Sequence, residues 1–123
     1  MIIVGAKGFA KEVLEILHQN NQIDEVVFYD DINNDLPKKV FNQFEILTSN
    51  IQAKEYFQNV NNQFTIGIGN PILRKKMFDK FISIGGEFVS TISLKASIGS
   101  FNVFIKNRQI IFVYFYFKTR FIR

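Results

Sequence analysis

Gly5-Ala6-Lys7-Gly8-Phe9-Ala10 is the segment of this chain best suited to do chemistry. The apolar run Ile2-Ile3-Val4 precedes it, and Phe9, Val13, Ile16 and Leu17 follow at helical spacing. A strand that runs through a glycine turn into a helix start presents backbone N–H groups outward. The helix dipole adds partial positive charge, so such a turn is a place to hold a phosphate. The spacing is not a clean dinucleotide fingerprint. Lys7 sits where a second glycine would let a pyrophosphate approach the main chain, whereas Ala10 is acceptable at the third position. Glycine also serves a plain strand–turn–helix for steric reasons alone. Both readings stand at this point, with Gly5 and Ala6 as further candidates beside Lys7, Gly8 and Phe9.

Two other positions offer polar groups at strand ends. Asp30-Asp31 closes the run Glu25-Val26-Val27-Phe28-Tyr29, about where an acid meets a ribose in dinucleotide folds; a solvated turn pair is the alternative. Ile68-Gly69-Asn70 closes a third apolar run. Gly69 can admit close backbone approach, and Asn70 can cap a helix that Pro71 begins. Arg74, on the first turns of that helix, has the reach and fork geometry for a diphosphate, while Lys75 and Lys76 read as a solvated basic face. His18, the single histidine, lies near a helix C-terminus where positive charge suits the dipole. It has no partner acid or serine in view, so no catalytic residue is assigned. With no cysteine there is no disulfide, no thiolate zinc site and no cysteine nucleophile, and no metal site is expected.

The elements that must position these groups alternate between strand and helix. Strands are expected at 1–4, 25–29, 64–69 and 87–89, with a short strand or edge at 45–47. Helices are expected from Phe9 to Asn20, over 50–57 and from Pro71 to a stop at Gly85-Gly86. The polar stretch 32–40, with Pro37, reads as a loop. This pattern predicts an α/β fold with a small parallel sheet and helices on both faces. Right-handed crossovers then bring the loops at Gly5, Asp30 and Gly69 to one edge of the sheet. From Ser90 the pattern changes to short alternating segments, and Ile92, Ile98 and Phe104 stand six apart, the period of a parallel β-helix.

Charge divides the chain unevenly. The 123 residues carry a net charge of +4, yet Lys106, Arg108, Lys118, Arg120 and Arg123 account for five of the 15 basic groups and no acid follows Glu87. Without those five, 10 basic groups face 11 acidic ones, so no basic stripe runs through the folded part and nucleic acid is not an expected partner. Ile110 to Phe117 is apolar, with five aromatics in eight residues. It is too short to span a membrane and has the signature of an aggregation-prone strand. The opening lacks the apolar length of a secretion signal, and the cysteine-free composition suits a reducing compartment, so the expected location is cytoplasmic.

Taken together, Ile3 to Glu12, Phe28-Tyr29-Asp30-Asp31, Ile68-Gly69-Asn70-Pro71 with Arg74, and Phe88…Ile92…Ala96-Ser97-Ile98-Gly99 resemble the sugar O- and N-acetyltransferases of the sialic-acid and bacillosamine type. The resemblance covers roughly residues 1–105. It implies a Rossmann-like N-terminal domain that binds a nucleotide sugar, typically a UDP-linked amino sugar, followed by a left-handed β-helix of hexapeptide repeats. By position, Lys7, Gly8 and Phe9 would lie along the nucleotide sugar, Asp30 and Asp31 would meet the uridine, and Gly69 would line the floor. Ile72 falls on a further contact position where some relatives carry an acid. Phe9 replaces a histidine common in the turn, and Ser93 stands where many members have one. The family's catalytic histidine and its acetyl-CoA site, the latter usually between subunits of a homotrimer, lie in the β-helix. No histidine follows His18 here. The expectation is therefore a nucleotide-sugar domain over 1–90, a first coil over 91–105 and an atypical tail over 106–123, truncated by a frameshift near Lys106. Such a chain would be catalytically incomplete, would bind no acetyl-CoA and would not maintain the trimer. Two rivals remain: a nicotinamide- or CoA-binding module of another α/β class, and a non-enzymatic interaction domain.

Overall fold

The computed structural model describes residues 1–92 and, beyond them, the backbone of five two-residue strands at 97–98, 104–105, 110–111, 116–117 and 121–122. The chain runs β1 (Ile2–Val4), α1 (Gly8–Gln19), β2 (Val27–Tyr29), β3 (Lys39–Val40), β4 (Phe44–Leu47), α2 (Asn50–Asn59), β5 (Gln63–Ile66), α3 (Pro71–Ser83) and β6 (Glu87–Phe88). These six strands form one sheet in the order β3-β4-β2-β1-β5-β6. All neighbours pair in parallel except β3 and β4. The chain moves outward from β1 through β2 and β4, then returns to place β5 on the other side of β1. That reversal makes a switch point between the C-terminal ends of β1 and β5.

Side chains alternate across a strand, and the alternation assigns the two faces. Ile3 and Phe28 face α1, packing with Ala10, Val13, Leu14 and Leu17. Ile2, Val4, Tyr29, Phe64 and Ile66 face the other way, against Ala53 and Phe57 of α2 and Met77 and Phe81 of α3. Helices thus cover both faces, as the pattern of elements predicts. Phe64 is fully buried, with ring centroids 5.4 Å from Phe81 and 5.6 Å from Phe88.

Two expectations need correction. The sheet is mixed rather than wholly parallel, because the stretch predicted as a loop ends in β3. Phe41 and Asn42 both take left-handed backbone (φ 52° and 54°), which reverses the chain tightly and lays β3 antiparallel to β4. The third apolar run leaves the sheet at Ile66, three residues early, so Gly67, Ile68 and Gly69 form a loop instead of a strand end.

Asn70 caps α3, as its type and the following proline suggest. Its Oδ1 accepts from the backbone N–H groups of Ile72 (3.0 Å) and Leu73 (3.1 Å), and Pro71 opens the helix. Asn70→Ala is expected to lower stability by about 1 kcal/mol, read as a shifted urea midpoint with an unchanged slope.

After β6, β7 (Thr91–Ile92) joins the first body through a buried contact between the Thr65 and Thr91 hydroxyls at 2.9 Å. The strands β8 (Ser97–Ile98), β9 (Phe104–Ile105), β10 (Ile110–Ile111), β11 (Tyr116–Phe117) and β12 (Phe121–Ile122) follow. β10 pairs in parallel with β7, β11 with β8 and β12 with β9. Ser93, and the side chains at the six-residue positions from Ile92 onward, lie outside the described residues.

Candidate functional site

Gly5 is where the chain leaves β1. Its φ of +110° belongs to glycine, and its N–H donates to the Tyr29 carbonyl at 2.6 Å, which draws the β1–α1 turn over the end of β2. A Cβ on Gly5 would come within 2.8 Å of the Gly67 carbonyl oxygen, so the turn also lies directly on the β5–α3 loop. Gly67 in turn donates to the Val4 carbonyl at 2.8 Å. These bonds bring the three predicted loops to one edge of the sheet, at the switch point.

Between them lies a cavity of about 300 Å³. Gly5, Ala6, Lys7 and Phe9 line it from the first loop, Asp30 and Asp31 from the second and Gly69 from the third. Its floor is apolar, with Val4, Ile68, Leu73 and Met77. Four other candidates fall outside the lining. Gly8 opens α1 and has no neighbour within 4 Å of where its Cβ would stand, so nothing among the described residues demands glycine there. Asn70 serves as the cap. Ile72 is 82% exposed on the first turn of α3. Arg74 turns its guanidinium onto the carbonyls of Ile66 (3.2 Å) and Ile68 (3.4 Å), where it braces the β5–α3 loop, and burial lowers its pKa.

The start of α1 differs from the other two helix starts. Ser49 caps α2 and Asn70 caps α3, but the residue before α1 is Lys7, whose side chain makes no capping bond; none of the three helices has an acid in its first turn. Its ammonium instead meets Asp35 at 2.8 Å, tying the first loop to the second in an exposed ion pair. A helix start without a carboxylate or hydroxyl of its own retains its capacity for an external anion.

The two aspartates divide their work. Asp30 is buried, and its own loop occupies it: Oδ1 accepts from the N–H groups of Ile32 and Asn33 at 3.0 Å each, and Oδ2 accepts from the Asn33 amide at 2.8 Å. This is the turn-forming role that the sequence left open. Asp31 meets Lys80 of α3 at 2.8 Å through Oδ2. Burial alone would raise the Asp31 carboxyl, but the hydrogen bond and charge of Lys80 outweigh it and hold the pKa below the usual value. Burial would lower Lys80, yet its bonds to Asp31 and Tyr29 raise it. The Asp31 contribution to stability is therefore present above the ordinary carboxylate pKa and lost as pH falls below it. The Lys80 contribution is lost only as pH rises past the ordinary lysine value, so both are intact at neutrality.

Sequence reasoning missed Tyr29, Asn33 and Gly67. Gly67 had a readable signal, since Ile66-Gly67-Ile68-Gly69 carries two glycines two apart. A Cβ at Gly67 would lie 2.6 Å from Ala10 Cα, which explains the small residue at position 10 of α1. Among the described residues no cluster of His, Cys, Asp and Glu is placed to hold a metal ion, and no helix is long and apolar enough to cross a membrane.

A mostly parallel α/β sheet with a cavity at its switch point, beside a glycine turn and a helix start without a side-chain cap, defines a Rossmann-like α/β domain. The PglD N-terminal domain family model matches residues 1–81, and the chain belongs to that family. The resemblance read from the sequence is thereby established. Among solved structures, a mutant of GDP-perosamine N-acetyl transferase from Caulobacter crescentus, in complex with CoA and GDP-perosamine, matches 89% of this chain and 50% of its own, with 21% identity and a TM-score of 0.72. The acetyltransferase domain of PglB from Neisseria gonorrhoeae matches 89% of this chain and 52% of its own, with 20% identity and a TM-score of 0.67. These likenesses concern the fold, and the chain spans about half the length of either structure. No curated protein matches the chain.

Proposed function

We propose that this chain binds a nucleotide sugar, a UDP-linked amino sugar by the family resemblance, in the cavity at the switch point. The observation that carries the reading is the convergence of three loops on that cavity beside an uncapped helix start. In this reading the diphosphate rests on the start of α1, over Gly8 and along Lys7 and Phe9. The nucleoside end lies towards Asp30 and Asp31, and Gly69 lines the floor. Ile72, exposed on the first turn of α3, keeps its place as a further contact position, and Arg74 braces the β5–α3 loop that carries Gly69.

We also read the segment from 91 onward as hexapeptide β-helix, which extends the first coil expected over 91–105 into the stretch 106–123 that the sequence reading set apart as an atypical tail. Ile92, Ile98, Phe104, Ile110, Tyr116 and Ile122 are six apart, and each falls in one of the two-residue strands. Three parallel pairs, each joining strands 17 to 19 residues apart, support stacked coils. No residue of this chain is assigned a catalytic role, because His18 sits near the end of α1 and no other histidine exists. A cytoplasmic location rests on the cysteine-free composition.

Calorimetric titration tests the assignment. UDP-linked amino sugars are expected to bind and acetyl-CoA to give no heat of binding. Tight acetyl-CoA binding, or NAD binding in preference to every nucleotide sugar, overturns it.

A further inference from the structure

Tyr29, Asp31, Asn50 and Lys80 form a polar cluster where one wall of the cavity meets α2 and α3. The Tyr29 ring is buried and its hydroxyl is the hub. Lys80 Nζ donates to it at 3.0 Å, and it lies 3.1 Å from Asp31 Oδ2 and 3.2 Å from Asn50 Oδ1. Lys80 Nζ also bonds Asp31 Oδ2 and stands 5.0 Å from the Tyr29 ring centroid. Tyr29 and Asp31 line the cavity, whereas Lys80 stands behind them in the last turn of α3. The cluster's side-chain contacts with Asp31 all fall on Oδ2, and a backbone N–H of Asp31 itself also bonds the carboxylate; with two lone pairs on each oxygen, capacity is left for one donor brought by a ligand. Asp30 offers far less, because its own loop occupies both its oxygens.

We propose that Lys80 is a positioning residue of the nucleotide-sugar site: it fixes the Asp31 carboxylate so that one oxygen accepts a single donor, an imide N–H or a ribose hydroxyl, from the bound nucleotide. The inference rests on the function proposed above. Lys80 makes three directed contacts with the Asp31–Tyr29 pair, and a lysine so engaged has little freedom left to let the carboxylate turn. It also keeps Asp31 ionised against the burial that would raise its pKa. The other groups around Asp31 do not replace it. Tyr29 from β2 is neutral, and burial raises its pKa further. Asn50 of α2 is neutral, Asp30 is like-charged, and Lys7 across the cavity is held by Asp35.

The test is UDP binding by wild type, Lys80→Met and Lys80→Arg, measured between about pH 5 and pH 7, just above the ordinary carboxylate range. Wild-type affinity is expected to stay flat over that window. Lys80→Met should bind about tenfold more weakly at neutrality, as for one lost charge-assisted hydrogen bond, and weaken further towards the acid end as Asp31 takes up a proton. Lys80→Arg should restore most of both. The Asp31 carboxyl titration, followed by NMR without ligand, should move to higher pH in the Met variant and return in the Arg variant. If wild type binds UDP while Lys80→Met shows unchanged affinity, pH profile and Asp31 titration, this inference alone fails. A wild type that binds no UDP overturns the function proposed above, and this inference with it.

Discussion

Gly67→Val is expected to destabilise the domain by about 3 kcal/mol or more, enough to lower the melting temperature by roughly 10–20 °C. The reason is which atoms stand in the way. A Cβ at Gly67 would lie 2.6 Å from Ala10 Cα and 2.8 Å from Ala10 Cβ, with Ile3 Cγ2 at 3.2 Å. The first of these is helix backbone, which no rotamer change can move. Helix α1 must lift from the sheet, and its packing through Val13, Leu14 and Leu17 loosens with it. The same shift opens the turn at Gly5, which rests on the Gly67 carbonyl. Gly69→Ala is the matched control. Its Cβ would meet only Phe9 Cδ2, at an ordinary 3.8 Å, and the change should stay within about 0.5 kcal/mol. Thermal and urea melts of the two variants decide the matter. A Gly67→Val protein that melts with the wild type would mean that α1 does not lie so close to β5.

The parts of this molecule legible in sequence are those that local physics dictates. The β1–turn–α1 unit announces itself in Ile2 to Leu17, because strand, glycine and helical spacing all lie within that short stretch. The α3 start is equally plain, since an asparagine cap followed by proline acts over a few bonds. What escaped depends on a tight reversal and on partners that only the folded chain supplies. β3 exists because Phe41 and Asn42 adopt left-handed backbone, which asparagine enters readily but phenylalanine does not advertise. Arg74 has the right chemistry for a diphosphate, but the carbonyls of Ile66 and Ile68, freed where β5 stops early, claim it first. Asp30 and Asp31 are adjacent and alike in sequence. Asn33, in the same loop, makes Asp30 a turn former, and only the tertiary placement of Lys80 sets Asp31 apart from it. The convergence of the three loops was legible, since strand order and crossover handedness leave few alternatives. The identity of the side chains forming the floor was not, because Leu73 and Met77 reach it from a helix that reads from sequence as a simple amphipathic stripe.

Gly8→Asp should separate folding from binding in opposite directions. Position 8 is the first residue of α1, and no described atom lies within 4 Å of a Cβ placed there, so the side chain can be accommodated without strain. Glycine in a helix costs up to about 1 kcal/mol relative to alanine, and an acid in the first turn gains about 0.3–1 kcal/mol from the dipole. The variant should therefore melt at or slightly above the wild-type temperature. Binding should move the other way. If the diphosphate lies over this helix start, the new carboxylate sits within several ångströms of it. Like charges at about 4 Å repel by roughly 1 kcal/mol in water and about 4 kcal/mol near a protein surface, so UDP-sugar affinity should fall about fivefold to several hundredfold. Gly8→Asn carries nearly the same bulk without the charge and should lose much less. The difference between the two variants should shrink as salt is added, because the repulsion is screened over about 10 Å at 0.1 M. Equal affinities for Gly8→Asp and wild type would remove the anion from the start of α1. The glycine turn would then be a purely steric device for laying α1 against β5.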